Sequence, residues 1–87
     1  MPAGKILFFG KLADVSGASE WDMPAFDTPM SSDDFIAMIT SGNANLAEAL
    51  KAPSNRLCVN QVLVPPSETV TISPSDEVAF MPPMSGG

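Results

Sequence analysis

A chain of 87 residues, 45 % of them apolar, has room for one hydrophobic core and not for two. Four Lys/Arg against ten Asp/Glu give a net charge of −6, which disfavours nucleic acid and favours a protein partner with a basic surface. With no His and one Cys, Cys58, the chain excludes imidazole catalysis, His metal sites, an intrachain disulfide and cysteine-held metal clusters.

The apolar share is high enough to offset chain entropy, so disorder of the whole chain is not expected. Single-cysteine usage fits a reducing, cytoplasmic compartment. Met1–Ile6 leads into an apolar run of only four residues, too short for a signal-peptide core, and no stretch approaches the ~20 apolar residues of a membrane span.

In chain order, Ile6-Leu7-Phe8-Phe9 reads as a strand closed by Gly10; apolar residues at both parities predict a central strand covered on both faces. Lys11–Gly17 reads as one short helical turn ending at Gly17. Ser19–Met23 alternates and predicts a half-exposed strand with Trp21 and Met23 inward. Pro24–Met30 reads as a loop. Ser31 or Ser32 caps a helix whose first turn carries Asp33 and Asp34 and whose stripe is Phe35, Ile36, Met38 and Ile39. A second short helix is predicted at Asn45–Lys51, with Leu46, Ala47 and Leu50 on one side. Leu57–Val59 and Val62–Val64 read as strands around a tight reversal at Asn60-Gln61. Thr69–Ile72 reads as an edge strand or extended connection, Ser73–Asp76 as a turn, and Glu77–Met81 as the last strand. Strands at both ends around central helices give an α+β class, one sheet with helices on one face. A β-domain at 1–81 is followed by an extended tail at 82–87.

That tail, Pro82-Pro83-Met84-Ser85-Gly86-Gly87, carries the functional signal. Two prolines in succession disfavour helix and keep the segment extended. Six residues reach up to ~20 Å. Two final glycines, lacking side chains, can lie in a narrow channel that would exclude any Cβ. At ordinary glycine usage such a pair arises by chance in roughly 0.5 % of chains, so a frayed end is the poorer reading. A free carboxylate is a poor acyl donor, but ATP converts it to an acyl-adenylate that sulfur, nitrogen or oxygen nucleophiles attack. Among side chains outside the tail, Cys58 reads as a small packed residue, Trp21 as half-buried core, and Asp33 and Asp34 as helix-dipole charge rather than a metal pair.

Lys5-Ile6-Leu7-Phe8-Phe9, Val59-Asn60-Gln61 and Asp76–Gly87 together resemble the small, sulfur-carrier subunit of molybdopterin synthase, a ubiquitin-like family. The resemblance spans essentially the whole chain, with the last twelve residues its most specific part. It implies a β-grasp fold of about five strands, with the first and last parallel in mid-sheet. It also implies a mechanism. An E1-like adenylating enzyme activates the Gly87 carboxylate with ATP, and a sulfur donor protein converts it to a thiocarboxylate. The large synthase subunit then receives the tail and uses its sulfur to build the molybdopterin dithiolene from cyclic pyranopterin monophosphate. Residue by residue, the resemblance makes Gly87 the reacting group, with Gly86 and Ser85 lining the approach channel. Met84, Pro83 and Pro82 direct the tail, and Phe80 and Met81 belong to the docking surface. A heterotetramer is implied by the same resemblance. The chain would hold no cofactor stably and would supply no catalytic acid or base; ATP belongs to the partner.

Three alternatives stay open on the residues. One is a sulfur carrier of another pathway (thiamine, tRNA thiolation or cysteine). Another is a ubiquitin-like protein modifier forming isopeptide bonds. The third is a plain interaction domain.

Overall fold

The two apolar runs near the ends of the chain meet in the middle of one sheet. The computed structural model describes residues 4–52, 55–65 and 68–82. Within them the order is β1 (Lys5–Phe8), α1 (Lys11–Ser16), β2 (Glu20–Asp22), β3 (Met30–Ser31), α2 (Ser32–Ile39), α3 (Ala44–Lys51), β4 (Arg56–Val59), β5 (Val62–Val64), β6 (Thr71–Ile72) and β7 (Glu77–Met81). Five strands form a mixed sheet in the order β2-β1-β7-β4-β5. β1 and β7 are parallel, with Ile6 opposite Val78 and Phe8 opposite Phe80; the other three pairings are antiparallel. This is the ubiquitin-like β-grasp arrangement, of class α+β.

The core lies between this sheet and the helices. Ile6, Phe8, Val78 and Phe80 from the central strands pack against Leu12 of α1, Phe35 and Ile36 of α2, and Leu46 and Leu50 of α3. Phe8 stacks on Phe80, with ring centroids 5.8 Å apart, and meets Trp21 edge-to-face at 4.8 Å. Trp21 is half-buried and Met23 buried, both inward as their alternation predicted.

Caps account for the helix boundaries. Of the two candidate serines it is Ser31 that caps α2, its Oγ accepting from the Asp34 N–H at 3.1 Å. Asn43 Oδ1 does the same for α3, accepting from the Leu46 N–H at 3.0 Å. Gly17 ends α1 in the left-handed region that its residue type predicted. Ser32 is used differently: buried, it accepts from the Val70 N–H and donates its own N–H to the Val70 carbonyl.

One expectation needs correction and a second takes a shorter form. β1 is central, but its flanking helices cover only the Ile6/Phe8 side, and Phe9 is 46 % exposed. Apolar residues at both parities therefore do not mean helices on both faces here. The Thr69–Ile72 segment contributes only the two-residue β6, which pairs with β3 in a separate ribbon, Met30 opposite Ile72. Met30 and Ser31, on the border of the loop and the cap, thus also act as a strand.

The β4–β5 reversal is fastened to the start of β7. Asn60 and Gln61 both take positive φ, 52° and 69°, as a two-residue hairpin with matching twist requires. The Asn60 side chain accepts from the Glu77 N–H at 2.9 Å and donates to Asp76 Oδ1 at 3.0 Å. Asp76 Oδ2 in turn accepts from the Ser73 N–H at 2.7 Å. Replacing Asn60 by Ala removes both bonds and a residue tolerant of positive φ, at a cost of about 1–2 kcal/mol. The expected fall in Tm is roughly 5–15 °C by thermal melting. Asn60→Gly, which keeps the conformation but not the bonds, should recover part of it.

Candidate functional site: the open sheet face and the root of the tail

Strand alternation divides the sheet residues between two faces. The face turned away from the helices carries three rows across the strands. Asp22, Lys5 and Glu77 form the first. Glu20, Leu7, Ala79, Cys58 and Leu63 form the second. Met81 and Arg56 form the third, and Phe9, whose N–H donates to the Phe80 carbonyl at 3.0 Å, extends it.

The middle row is apolar from Leu7 to Leu63. Ala79 and Cys58 are buried between those larger neighbours, whereas Leu63 is 56 % exposed. Burial raises the Cys58 thiol above its ordinary pKa, the environment of a packed residue and not of an activated thiolate. With Phe9 and half-buried Met81 the row makes a contiguous apolar surface beside the exit of β7. Among the described residues no helix covers it. An apolar face of this kind is the ordinary mark of a protein–protein contact.

The exit itself is tight. Gly10 takes φ +57°, and a Cβ there would lie 2.8 Å from Cγ of Pro82. Glycine at this position therefore lets the chain leave β7 alongside the start of α1. The first charged row lies at the opposite end, where Lys5 pairs with Glu20 at 3.2 Å and Asp22, Asp76 and Glu77 add negative charge.

Of the residues assigned to the tail and its docking surface, Met81 stands on the open face and Pro82 against Gly10. Phe80 does not join them. It points to the opposite face, is 1 % exposed and stacks on Phe8, because its parity along β7 matches Val78 and not Met81. Its part in docking is corrected to a core role beneath the tail root. Pro83, Met84, Ser85, Gly86 and Gly87 lie outside the described residues. The residues that sequence reasoning missed are Phe9, Leu7 and Leu63. Their signal was present as large apolar residues at the parity that the core does not use; in Leu7 and Phe9 it read as two-sided burial, and Leu63 read only as part of a short strand.

The comparisons agree with this architecture. The ThiS family pattern matches residues 6–87, and the chain belongs to that family. The molybdopterin synthase sulfur carrier subunit of Chlamydomonas reinhardtii is 33 % identical over 86 residues, covering 95 % of this chain and 96 % of that one. The solution structure of small archaeal modifier protein 1 from Methanosarcina acetivorans superposes with a TM-score of 0.74 at 21 % identity, covering 100 % and 98 % of the two chains. A putative molybdopterin converting factor subunit 1 from Pyrococcus furiosus gives 0.65 at 18 % identity, over 97 % and 100 %. At these identities the two structures bear on the fold alone.

Proposed function

We propose that this protein is a sulfur carrier, and specifically the small subunit of a molybdopterin synthase. The observation that carries the reading is the 33 % identity to a sulfur carrier subunit along nearly the full length of both chains. The open face and the glycine-lined exit of β7 support it, because a carrier must both dock and project its end.

The chemistry runs at the Gly87 carboxylate. An adenylating enzyme transfers AMP from ATP to a carboxylate oxygen and releases pyrophosphate. Sulfide-level sulfur released by a sulfur donor then attacks the acyl carbon and expels AMP, leaving a thiocarboxylate. In the large subunit that sulfur bonds to a carbon of the pterin precursor as an oxygen substituent leaves it, and water then cleaves the resulting thioester, so that the sulfur stays on the pterin and Gly87 regains its carboxylate. A thiocarboxylate is a stronger nucleophile than a carboxylate, and it keeps sulfide from diffusing away. Gly86 and Ser85 line the approach, and Met84, Pro83 and Pro82 carry it clear of the body. Phe9, Leu63 and Met81 form the apolar centre of the contact with the large subunit.

Reconstitution with that subunit, the thiocarboxylated chain and the pterin precursor tests the reading. Wild-type protein is expected to yield the dithiolene product. Phe9→Ser and Leu63→Ser are each expected to weaken association roughly 10- to 100-fold while the melting curve stays near wild type. Absence of product from wild-type chain, or appearance of Gly87 joined to lysine side chains of other proteins, would contradict it.

A further inference from the structure

The docking face has an electrical direction as well as an apolar centre. Its end where β7 begins carries Asp22 and Glu77, with Glu20 one row on, against Lys5, whose charge is already engaged by Glu20. The other end carries Arg56, opposite Met81 and next to the point where Pro82 leaves the sheet. Arg56 lies four positions along the register from Glu77, ~13 Å at strand spacing. No carboxylate side chain lies within ion-pair distance of Arg56 among the described residues, in a chain with ten acids and four bases. Lys11 and Lys51 likewise stand outside any ion pair among the described residues, but Arg56 is the cation that strand pairing places on the open face, beside Met81 at the root of the tail. Its side chain is half-buried and its aliphatic stem shares the open face with Met81.

We infer that Arg56 is the positive pole of a polarised docking face that fixes which way round the tail-accepting partner sits. The inference rests on the proposal that the open face is where that partner binds. The partner of matching chemistry carries an acidic side chain beside the mouth that takes the tail. It also carries basic side chains one face-length away, against Asp22 and Glu77. Reversed docking would set acid against acid at one end and cation against cation at the other, and would carry the tail away from the mouth. Apolar contacts at Phe9 and Leu63 hold the two proteins together but do not distinguish the two orientations, because an apolar surface has little direction.

The test uses the full chain and the large subunit, with association and dissociation rates measured at low and high salt. Arg56→Met keeps the stem and removes the charge; it is expected to slow association several-fold at low salt and to flatten its salt dependence. Arg56→Glu is expected to weaken binding 10-fold or more, and Glu77→Lys to weaken it from the opposite end. A charge-reversed acid at the partner's mouth should restore binding to Arg56→Glu and not to Glu77→Lys. Melting curves near wild type exclude misfolding as the cause. If Arg56→Glu binds with wild-type rates and salt dependence while Leu63→Ser loses binding, the polarity inference is overturned and the docking face stands. If neither substitution matters, the docking face itself is overturned.

Discussion

Deletion of Gly87, or addition of one alanine after it, is expected to abolish sulfur transfer and leave the melting curve unchanged. The reason is geometric. The core ends at Phe80, and the tail root at Pro82 is set by the Gly10 contact, so the position of the reacting carbon depends only on the residues beyond. One residue more or fewer shifts it by ~3.5 Å. A misplacement of even ~1 Å costs about 10²-fold in rate, so a whole residue should leave no measurable product. Under the proposed function the tail enters a partner channel sized for glycine, and the added alanine brings a Cβ into it. Single-turnover formation of the dithiolene, run beside a thermal melt of each variant, reads both halves of the prediction.

The second large effect is on stability. Phe80→Ala is expected to remove most of the domain's folding stability. The side chain is 1 % exposed, stacks on Phe8 and belongs to the cluster that joins sheet to helices. Truncations of buried phenylalanine cost about 3–5 kcal/mol. Small domains sit near the low end of ~5–15 kcal/mol total stability, so the loss approaches the whole margin. Chemical denaturation followed by Trp21 fluorescence is the measurement. Met81→Ala, one position along and on the other face, should by contrast leave the midpoint nearly unmoved and act on partner affinity instead. A wild-type midpoint for Phe80→Ala would mean that the strand presents its faces the other way round.

That contrast also shows what was legible in the sequence. The central parallel pair β1–β7 was implied by the family resemblance and fits the apolar runs at Ile6–Phe9 and Val78–Met81, and the hairpin was legible from Asn60-Gln61, because those signals are local. The caps at Ser31 and Asn43 depend on one side chain and one N–H, and Ser31 at least stood among the candidates. The face of each strand was harder. Ile6 and Phe8 differ from Leu7 and Phe9 only in parity, and composition cannot say which parity meets the helices. Phe80 was assigned to the docking surface together with Met81 by the family resemblance, although strand parity sets the two on opposite faces. The β3–β6 ribbon escaped because two-residue strands carry no period. The chemistry proposed for the tail rests on Pro82–Gly87 as sequence and on the family, since Pro83–Gly87 lie outside the described residues. The unpaired Arg56 was not legible in the sequence, because its meaning comes from standing across from Met81 in β7.

Intact mass of the chain after incubation with a cognate adenylating enzyme, ATP and a sulfur source tests the central claim most directly. The account predicts a gain equal to the exchange of one oxygen for one sulfur, confined to the C-terminal peptide and lost when Gly87 is removed. An unchanged mass, with the fold intact and the enzyme active on a control carrier, would contradict it and leave an interaction domain whose final glycines carry no sulfur.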